Sequence, residues 1–119
     1  MRGGVQLGPP GRWWDDKSFA KTLGLSKDQQ KKMDTVFNAN KGPILESFKA
    51  LQKEESNLQK LTREKKLDEA KIFAGIDAVA QARAALEKAN AHMVLLVRQE
   101  MDADQNARME RFQEPVSEE

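Results

Sequence analysis

Apolar residues recur along most of this chain at the three- and four-residue steps of an amphipathic helix. After Lys27 these positions are Met33, Val36, Phe37, Ile44, Leu45, Phe48, Leu51, Leu58 and Leu61. This spacing places them along one side of a helix. Gly42 and Pro43 fall in the middle of the run, and proline normally breaks or kinks a helix. Because a seven-residue apolar phase continues across them, from Phe37 to Leu58, the pattern predicts one long, kinked helix.

Capping residues mark a short helix before this long one. Asp15 or Asp16 is a suitable N-cap for a helix that ends near Leu23, with Gly24 as its C-terminal stop. Trp13 and Trp14 directly precede it. Two adjacent tryptophans most often pack over a helix end, and the alternative is contact with a partner.

Two more helices follow a polar turn at about 62–66. Asp68 caps a third helix, roughly Glu69 to Glu100, and its apolar seam is Ile72, Ile76, Val79, Leu86, Met93 and Val97. A fourth helix runs from Ala103 to about Gln113, where Pro115 follows. The sequence therefore predicts an all-α protein with four helices, in which the two long ones form an antiparallel hairpin.

Composition divides the chain into three parts. Residues 1–14 are rich in glycine and proline and predict a flexible arm, 15–113 form the helical domain, and the acidic residues 114–119 predict a disordered tail. A thin hairpin exposes apolar surface that short end helices or a second chain must cover, so we expect a homodimer.

Charge is uneven although the net charge is only +1. Residues 26–66 contain ten Lys or Arg and six Asp or Glu, a local +4, whereas residues 67–119 contain six and eleven, a local −5. Either the two arms of the hairpin attract each other, or the basic arm is open to an acidic partner.

Several function classes lack their signatures. The chain has no Cys, no Tyr and one His, and it has no glycine-rich phosphate loop, so we expect neither an enzyme nor a cofactor. Neutral overall charge without an aromatic platform argues against nucleic acid binding. No apolar run reaches the roughly 18 residues that cross a bilayer, and the N-terminus lacks the apolar core of a signal peptide.

A short motif occurs twice. Leu25-Ser26-Lys27-Asp28-Gln29 opens one helical run, and Met101-Asp102-Ala103-Asp104-Gln105 opens another. In each copy an apolar residue (Leu25 or Met101) precedes an N-cap, and the glutamine at the third helical position can bond back to the N–H of the cap. The predicted capping residues are Ser26, Gln29, Asp102 and Gln105.

This pattern resembles the LTxxQ motif of the Spy/CpxP family, in which one copy opens the second helix and the other opens the last. The resemblance implies two kinked hairpins that form a dimeric cradle, and a periplasmic location after removal of a signal peptide. It implies an ATP-independent chaperone for unfolded or partly folded proteins. The alternatives are a heavy-metal sensor or resistance protein of the same fold, or a CpxP-like regulator of an envelope-stress kinase, with a sensor kinase or anti-sigma factor as partner.

The basic arm supplies the candidate binding residues. Long lysine stems beside apolar side chains give a surface that can hold many clients weakly. The predicted client-binding residues are Lys31, Lys32, Phe37, Lys41, Ile44, Leu45, Phe48, Lys49 and Lys53. His92 is a weak metal-ligand candidate, because a transition-metal site needs several converging ligands. We therefore expect no metal site.

Overall fold

A computed structural model describes residues 11–113, with the side chains of residues 112 and 113 excepted. This part of the chain is helical and contains no strand, as predicted. After a short 3-10 turn at Trp13–Asp15, the helices are α1 (Lys17–Leu23), α2 (Lys27–Thr62), α3 (Glu69–Arg98) and α4 (Ala103–Gln113). The predicted helix across Gly42 and Pro43 is confirmed, since α2 is continuous there.

The chain falls into two compact units. Within the described residues, the first combines 11–39 with 91–113, and the second is Asn40–Asn90. The first unit therefore contains α1, α4, the first part of α2 and the last part of α3. The second contains the remainder of α2, the remainder of α3 and the turn that joins them.

Local capping sets the bounds of α1. The Asp16 carboxylate accepts a hydrogen bond from the Phe19 N–H at 3.0 Å, and Gly24 ends the helix with φ of 73°. The Leu25 N–H then bonds to the Ala20 carbonyl at 2.9 Å, which closes the terminal turn. A side chain at position 24 would be strained in this left-handed conformation.

Trp13 and Trp14 pack inside the first unit and do not lie open to a partner. Trp14 is 1% exposed, and the two rings meet edge to face with centroids 5.4 Å apart. The indole N–H of Trp14 donates to the Asp34 carboxylate at 2.6 Å. The packed part of the chain thus already includes Trp13 and Trp14, which composition alone assigns to the flexible arm. Residues 1–10 and 114–119 lie outside the described part, so the arm and the tail stay predictions.

The core of the first unit is rich in methionine. Besides Trp13 and Trp14, its buried apolar side chains come from all four helices and the turn before α4, and are Ala20, Leu23, Met33, Met93, Val97, Met101 and Met109. Unbranched thioether side chains adapt to irregular gaps between short helices.

The second unit is a two-helix hairpin with a narrow core. The Asp68 carboxylate caps α3 by accepting from the Lys71 N–H at 3.2 Å. Leu51 and Val79 are buried, and a Cβ added to Gly75 would lie 3.0 Å from Cδ1 of Leu58. A glycine at position 75 therefore lets α3 approach α2 closely.

One predicted core position in this hairpin is wrong. The apolar spacing places Ile76 in the seam of α3, but about half of its side chain is exposed. The seam follows the seven-residue row of Ile72, Val79 and Leu86, and Ile76 is rotated about 60° from Val79 on the helix. Two packed helices bury only the sides that face each other. No helix in the described residues combines the length and apolarity needed to cross a membrane.

Replacing Pro43 by alanine should raise the free energy of unfolding by about 1–3 kcal/mol, because alanine restores a helical N–H donor and removes the ring clash inside α2. Urea unfolding followed by circular dichroism measures this. As the control, Ala50→Pro at an exposed position of the same helix should lower stability by about 3 kcal/mol or more. Equal free energies of unfolding for Pro43→Ala and the parent protein would mean that Pro43 does not destabilise α2.

Candidate functional site

Four large apolar side chains are exposed on the helices of the second unit, and a fifth, Leu67, is 63% exposed in the turn between α2 and α3. Leu45 and Phe48 of α2 are 51% and 45% exposed, and Phe73 and Ile76 of α3 are 58% and 48% exposed. Single exposed apolar residues are normal on protein surfaces, whereas a group on one element marks a binding surface.

Helical spacing places these residues on one face of the hairpin. An ion pair between Glu55 and Arg83, with N and O 3.3 Å apart, crosses from α2 to α3. Phe48 lies one heptad before Glu55, and Ile76 lies one heptad before Arg83, so each shares the face of its charged neighbour. Because the helices are antiparallel, Phe48 and Ile76 flank the ion pair at opposite ends. We call this surface the hairpin face; it comprises Lys41, Leu45, Phe48, Gln52, Glu55, Glu69, Phe73, Ile76 and Arg83.

The middle of the hairpin face is an open groove. Its lining combines the polar side chains of Gln52, Glu55, Ser56, Gln59, Thr62 and Arg83 with the apolar side chains of Leu58 and Val79. Amide and hydroxyl groups here can donate and accept hydrogen bonds. The face therefore has two apolar ends with a groove of mixed polar and apolar lining between them.

The predicted client-binding residues divide between the two units. In the second unit, Lys41, Leu45, Lys49 and Lys53 follow one another at four-residue steps and are all exposed, while Ile44 is half-buried. Phe48 lies beside this row. The predicted residues from Lys41 to Lys53 therefore share one stretch of α2, but only Lys41, Leu45 and Phe48 of them lie on the hairpin face.

The other three predicted residues lie in the first unit. Lys31 and Lys32 are exposed, and Lys32 pairs with Asp28 at 3.3 Å. Phe37 is half-buried, with its ring 5.9 Å from that of Trp14 and 5.4 Å from the Arg12 guanidinium. Phe37 thus takes part in the packing of the N-terminal turn, which limits the ring surface that a client could reach.

Sequence reasoning missed the α3 half of the hairpin face. The sequence did contain a signal for this half. Glu55 of α2 and Arg83 of α3 lie 28 positions apart, and other exposed or buried residues of α2 have a similar residue 28 positions later on α3. The same offset relates Lys41 to Glu69, Leu45 to Phe73, Phe48 to Ile76, and the buried Leu51 to Val79. Because 28 positions are four heptads, the two members of each pair have the same phase in the seven-residue pattern. Both helices therefore show the same order of buried and exposed positions.

Both copies of the repeated motif form reciprocal capping boxes. The Ser26 hydroxyl accepts from the Gln29 N–H at 3.0 Å, and the Gln29 amide oxygen accepts from the Ser26 N–H at 2.9 Å. Asp102 and Gln105 make the equivalent bonds at 2.8 and 3.0 Å. The side chains of each motif therefore satisfy main-chain N–H groups at the start of the helix that the motif opens.

The two glutamines also bind each other, which the sequence did not reveal. The Gln29 amide donates to Oε1 of Gln105 at 2.8 Å, and the Gln105 amide donates back at 3.2 Å. Each amide makes a further bond to a main-chain carbonyl, Gln29 to Glu100 and Gln105 to Gly24, at 2.9 and 2.8 Å. We call this arrangement the glutamine clasp. Each side chain uses two donors and two acceptor positions, so the polar atoms are satisfied.

Metal-ligating side chains do not cluster in the described part of the chain. His92 lies exposed on α3, and no group of three or more His, Cys, Asp or Glu side chains in residues 11–113 is arranged to hold a metal ion.

Residues 2–108 match the family model described as heavy-metal resistance. The chain belongs to this family. The match covers nearly the whole chain and confirms the resemblance to the Spy/CpxP-like LTxxQ proteins. Comparison with curated proteins and with solved structures gave no significant match.

Gln105→Glu should lower the free energy of unfolding of this heavy-metal resistance family member by about 1–3 kcal/mol at neutral pH. The carboxylate still accepts from the Asp102 N–H, but it cannot donate to Gly24 or Gln29 and faces their oxygens instead. The loss should shrink as the pH falls, because protonation of the new carboxyl restores one donor. Thermal unfolding at several pH values measures both effects.

Gln81→Glu is the matched control, since Gln81 is exposed on α3 and its substitution should change stability by no more than about 0.5 kcal/mol. If Gln105→Glu were as mild as this control at neutral pH, the glutamine clasp would not contribute to stability.

Proposed function

We propose that this protein is an ATP-independent periplasmic chaperone that holds unfolded or partly folded protein segments on the hairpin face. The observation that carries the proposal is the exposure of Leu45, Phe48, Phe73 and Ile76 on one face. Membership of a family related to Spy and CpxP supports the same function.

The chemistry of the face suits weak binding of many sequences. Apolar ends offer modest burial to the exposed side chains of a client. Between them, Gln52, Ser56 and Gln59 can bond to the unpaired main-chain groups of an extended segment. Such binding needs no fixed client sequence and no nucleotide.

Lysines beside the apolar residues add long-range attraction. Lys41 and Lys49 are exposed one helical turn on either side of Leu45, and Lys53 is exposed one turn further along α2. They favour clients with net negative charge and raise the rate of encounter. The lysine stems add apolar contact once the client is bound.

We expect the protein to suppress aggregation of reduced or denatured substrates without ATP, and the suppression to weaken with salt. Screening shortens the reach of charges from about 10 Å at 0.1 M to about 3 Å at 1 M salt. Light scattering of several unrelated substrates measures the effect. Phe48→Ala should reduce suppression, and replacing Lys31, Lys32 and Lys49 by glutamate should slow capture while helicity is retained.

Leu95→Ala is the matched control, because Leu95 is as exposed as Ile76 but lies in the first unit. No suppression at several-fold molar excess over several substrates would reject the chaperone function. If Phe48→Ala and Leu95→Ala lost the same amount of aggregation suppression, clients would not bind specifically at the hairpin face.

The family description favours a second candidate, a role in heavy-metal resistance or metal sensing. With one histidine and no cysteine we expect Zn, Ni or Co to bind no tighter than weak micromolar. Isothermal titration of each metal into the full chain tests this. Submicromolar binding that disappears in His92→Ala would promote the metal function above the chaperone.

A further inference from the structure

The end of the hairpin, where the chain turns from α2 into α3, carries the two most exposed large apolar side chains in the described part of the chain. Leu67, in the turn, is 63% exposed, and Phe73, in the second turn of α3, is 58% exposed. Phe73 follows Leu67 by six residues, which is about 9 Å along a helix axis. The two side chains therefore lie at the same end of the second unit, and both are open to solvent.

The same end carries the net positive charge of the second unit. Residues 60–71 contain five Lys or Arg and three Asp or Glu, a local +2, whereas the rest of residues 40–90 contains five of each. The five cations are all exposed, and they are Lys60, Arg63, Lys65, Lys66 and Lys71. We call these five cations, together with Leu67 and Phe73, the hairpin tip.

The charges of the hairpin tip are available to a partner. Within residues 11–113 none of its five cations forms an ion pair. Two of the three acidic residues, Asp68 and Glu69, lie at the start of α3, where the Asp68 carboxylate accepts a hydrogen bond from the Lys71 N–H at 3.2 Å. Carboxylates at this position offset the positive end of the helix dipole. The tip therefore presents excess cations beside exposed apolar side chains.

We propose that the hairpin tip binds the surface of an anionic lipid bilayer. Leu67 and Phe73 enter the boundary between the headgroups and the acyl chains, and the five cations lie among the lipid phosphates. The apolar stems of lysine and arginine can follow this boundary while their charged ends stay in water. Two apolar side chains and a few cations are each weak anchors, so the combination gives reversible binding.

The composition of the hairpin tip favours a lipid surface over an acidic protein. Four of its five cations are lysine, which is depleted in protein–protein interfaces, whereas arginine, tyrosine and tryptophan are enriched there. Lysines interleaved with apolar side chains are typical of segments that bind anionic membranes. An acidic protein segment is the other anionic partner, and the experiment separates the two.

This inference does not rest on the proposed function. Vesicle binding is measured without a client, and Lys65, Lys66 and Leu67 lie outside the hairpin face. Variants at these three positions should leave the suppression of aggregation unchanged in solution without vesicles. Phe73 belongs to both surfaces, so the tests below use Leu67. Failure of one proposal is therefore distinct from failure of the other.

Co-sedimentation of the full chain with large vesicles tests the charge requirement. Vesicles of phosphatidylcholine and phosphatidylglycerol in equal parts should bind the protein, and vesicles of phosphatidylcholine alone should bind it about tenfold more weakly or less. Binding to the anionic vesicles should fall as salt rises from about 0.1 M to about 1 M, because screening shortens the reach of the charges. Lys65→Glu combined with Lys66→Glu should raise the Kd for anionic vesicles by about tenfold or more.

Lys41→Glu combined with Lys49→Glu is the matched control for this pair. It makes the same change in net charge at exposed positions of α2. Both positions lie at least about 16 Å before Lys60 along the helix, which exceeds the screening length at about 0.1 M salt. The control should therefore raise the Kd by no more than about threefold. Circular dichroism checks that every variant keeps its helices.

Substitutions of Leu67 test the apolar contact. Leu67→Ser should raise the Kd for anionic vesicles by about threefold or more, because a hydroxyl side chain gains little at the acyl boundary. Leu95→Ser, at an exposed leucine of the first unit, should not raise it. Because the chain has no cysteine, a polarity-sensitive dye can be attached to Leu67→Cys alone. Its emission should shift to the blue on anionic vesicles, whereas the same dye on Leu95→Cys should not shift.

Four results would overturn the inference. They are an absence of binding to anionic vesicles, equal binding to anionic and neutral vesicles, an equal loss in the two charge-reversal pairs, and an unshifted dye at position 67. Poly-glutamate serves as the acidic protein probe. If it bound the parent protein but not Lys65→Glu with Lys66→Glu, while anionic vesicles did not bind, the hairpin tip would be a site for an acidic protein and not for a membrane.

Discussion

The mutual hydrogen bonding of Gln29 and Gln105 is the constraint on which the first unit depends. These side chains are 76 positions apart in sequence, yet each completes the capping box of its own helix and binds the other amide. Gln105 is buried, so loss of one partner would leave polar atoms without hydrogen bonds, at a cost of about 1–3 kcal/mol. The clasp therefore fixes the start of α2 against the start of α4. It also explains why each motif needs a glutamine: a glutamate could cap its helix but could not donate to the other motif.

The residues that follow the two motif copies also correspond to each other in their packing. Met33 and Met109 follow the two caps by one heptad, and both are fully buried. Asp34 and Glu110, at the next position, each accept from an arginine, Arg12 at 2.7 Å and Arg98 at 2.6 Å. The two motif copies thus lead into helices with the same order of cap, buried thioether and arginine-bound carboxylate. The bonds of Asp34 to Arg12 and Trp14 attach the N-terminal turn to α2.

The second unit depends on a narrow contact between two helices. Two helices alone bury only the residues that face each other, so Leu51 and Val79 form a narrow core and Leu45, Phe48, Phe73 and Ile76 stay exposed. The first unit thus joins its helices by the glutamine clasp and a methionine-rich core, whereas the second unit leaves large apolar side chains exposed to solvent.

The sequence by itself determined the helices, their caps and the family. Proline, glycine and capping residues act within one or two turns, so the bounds of α1, α2 and α4 followed from local patterns, and the repeated motif pointed to the LTxxQ proteins. Only the tertiary structure decided which apolar residues are buried. Ile76 satisfies a helical apolar spacing but is rotated away from the row that contacts α2, and spacing alone does not reveal which row a neighbour will cover. The glutamine clasp was equally hidden, because a side-chain bond across 76 positions depends on how the helices pack and not on the sequence near either glutamine.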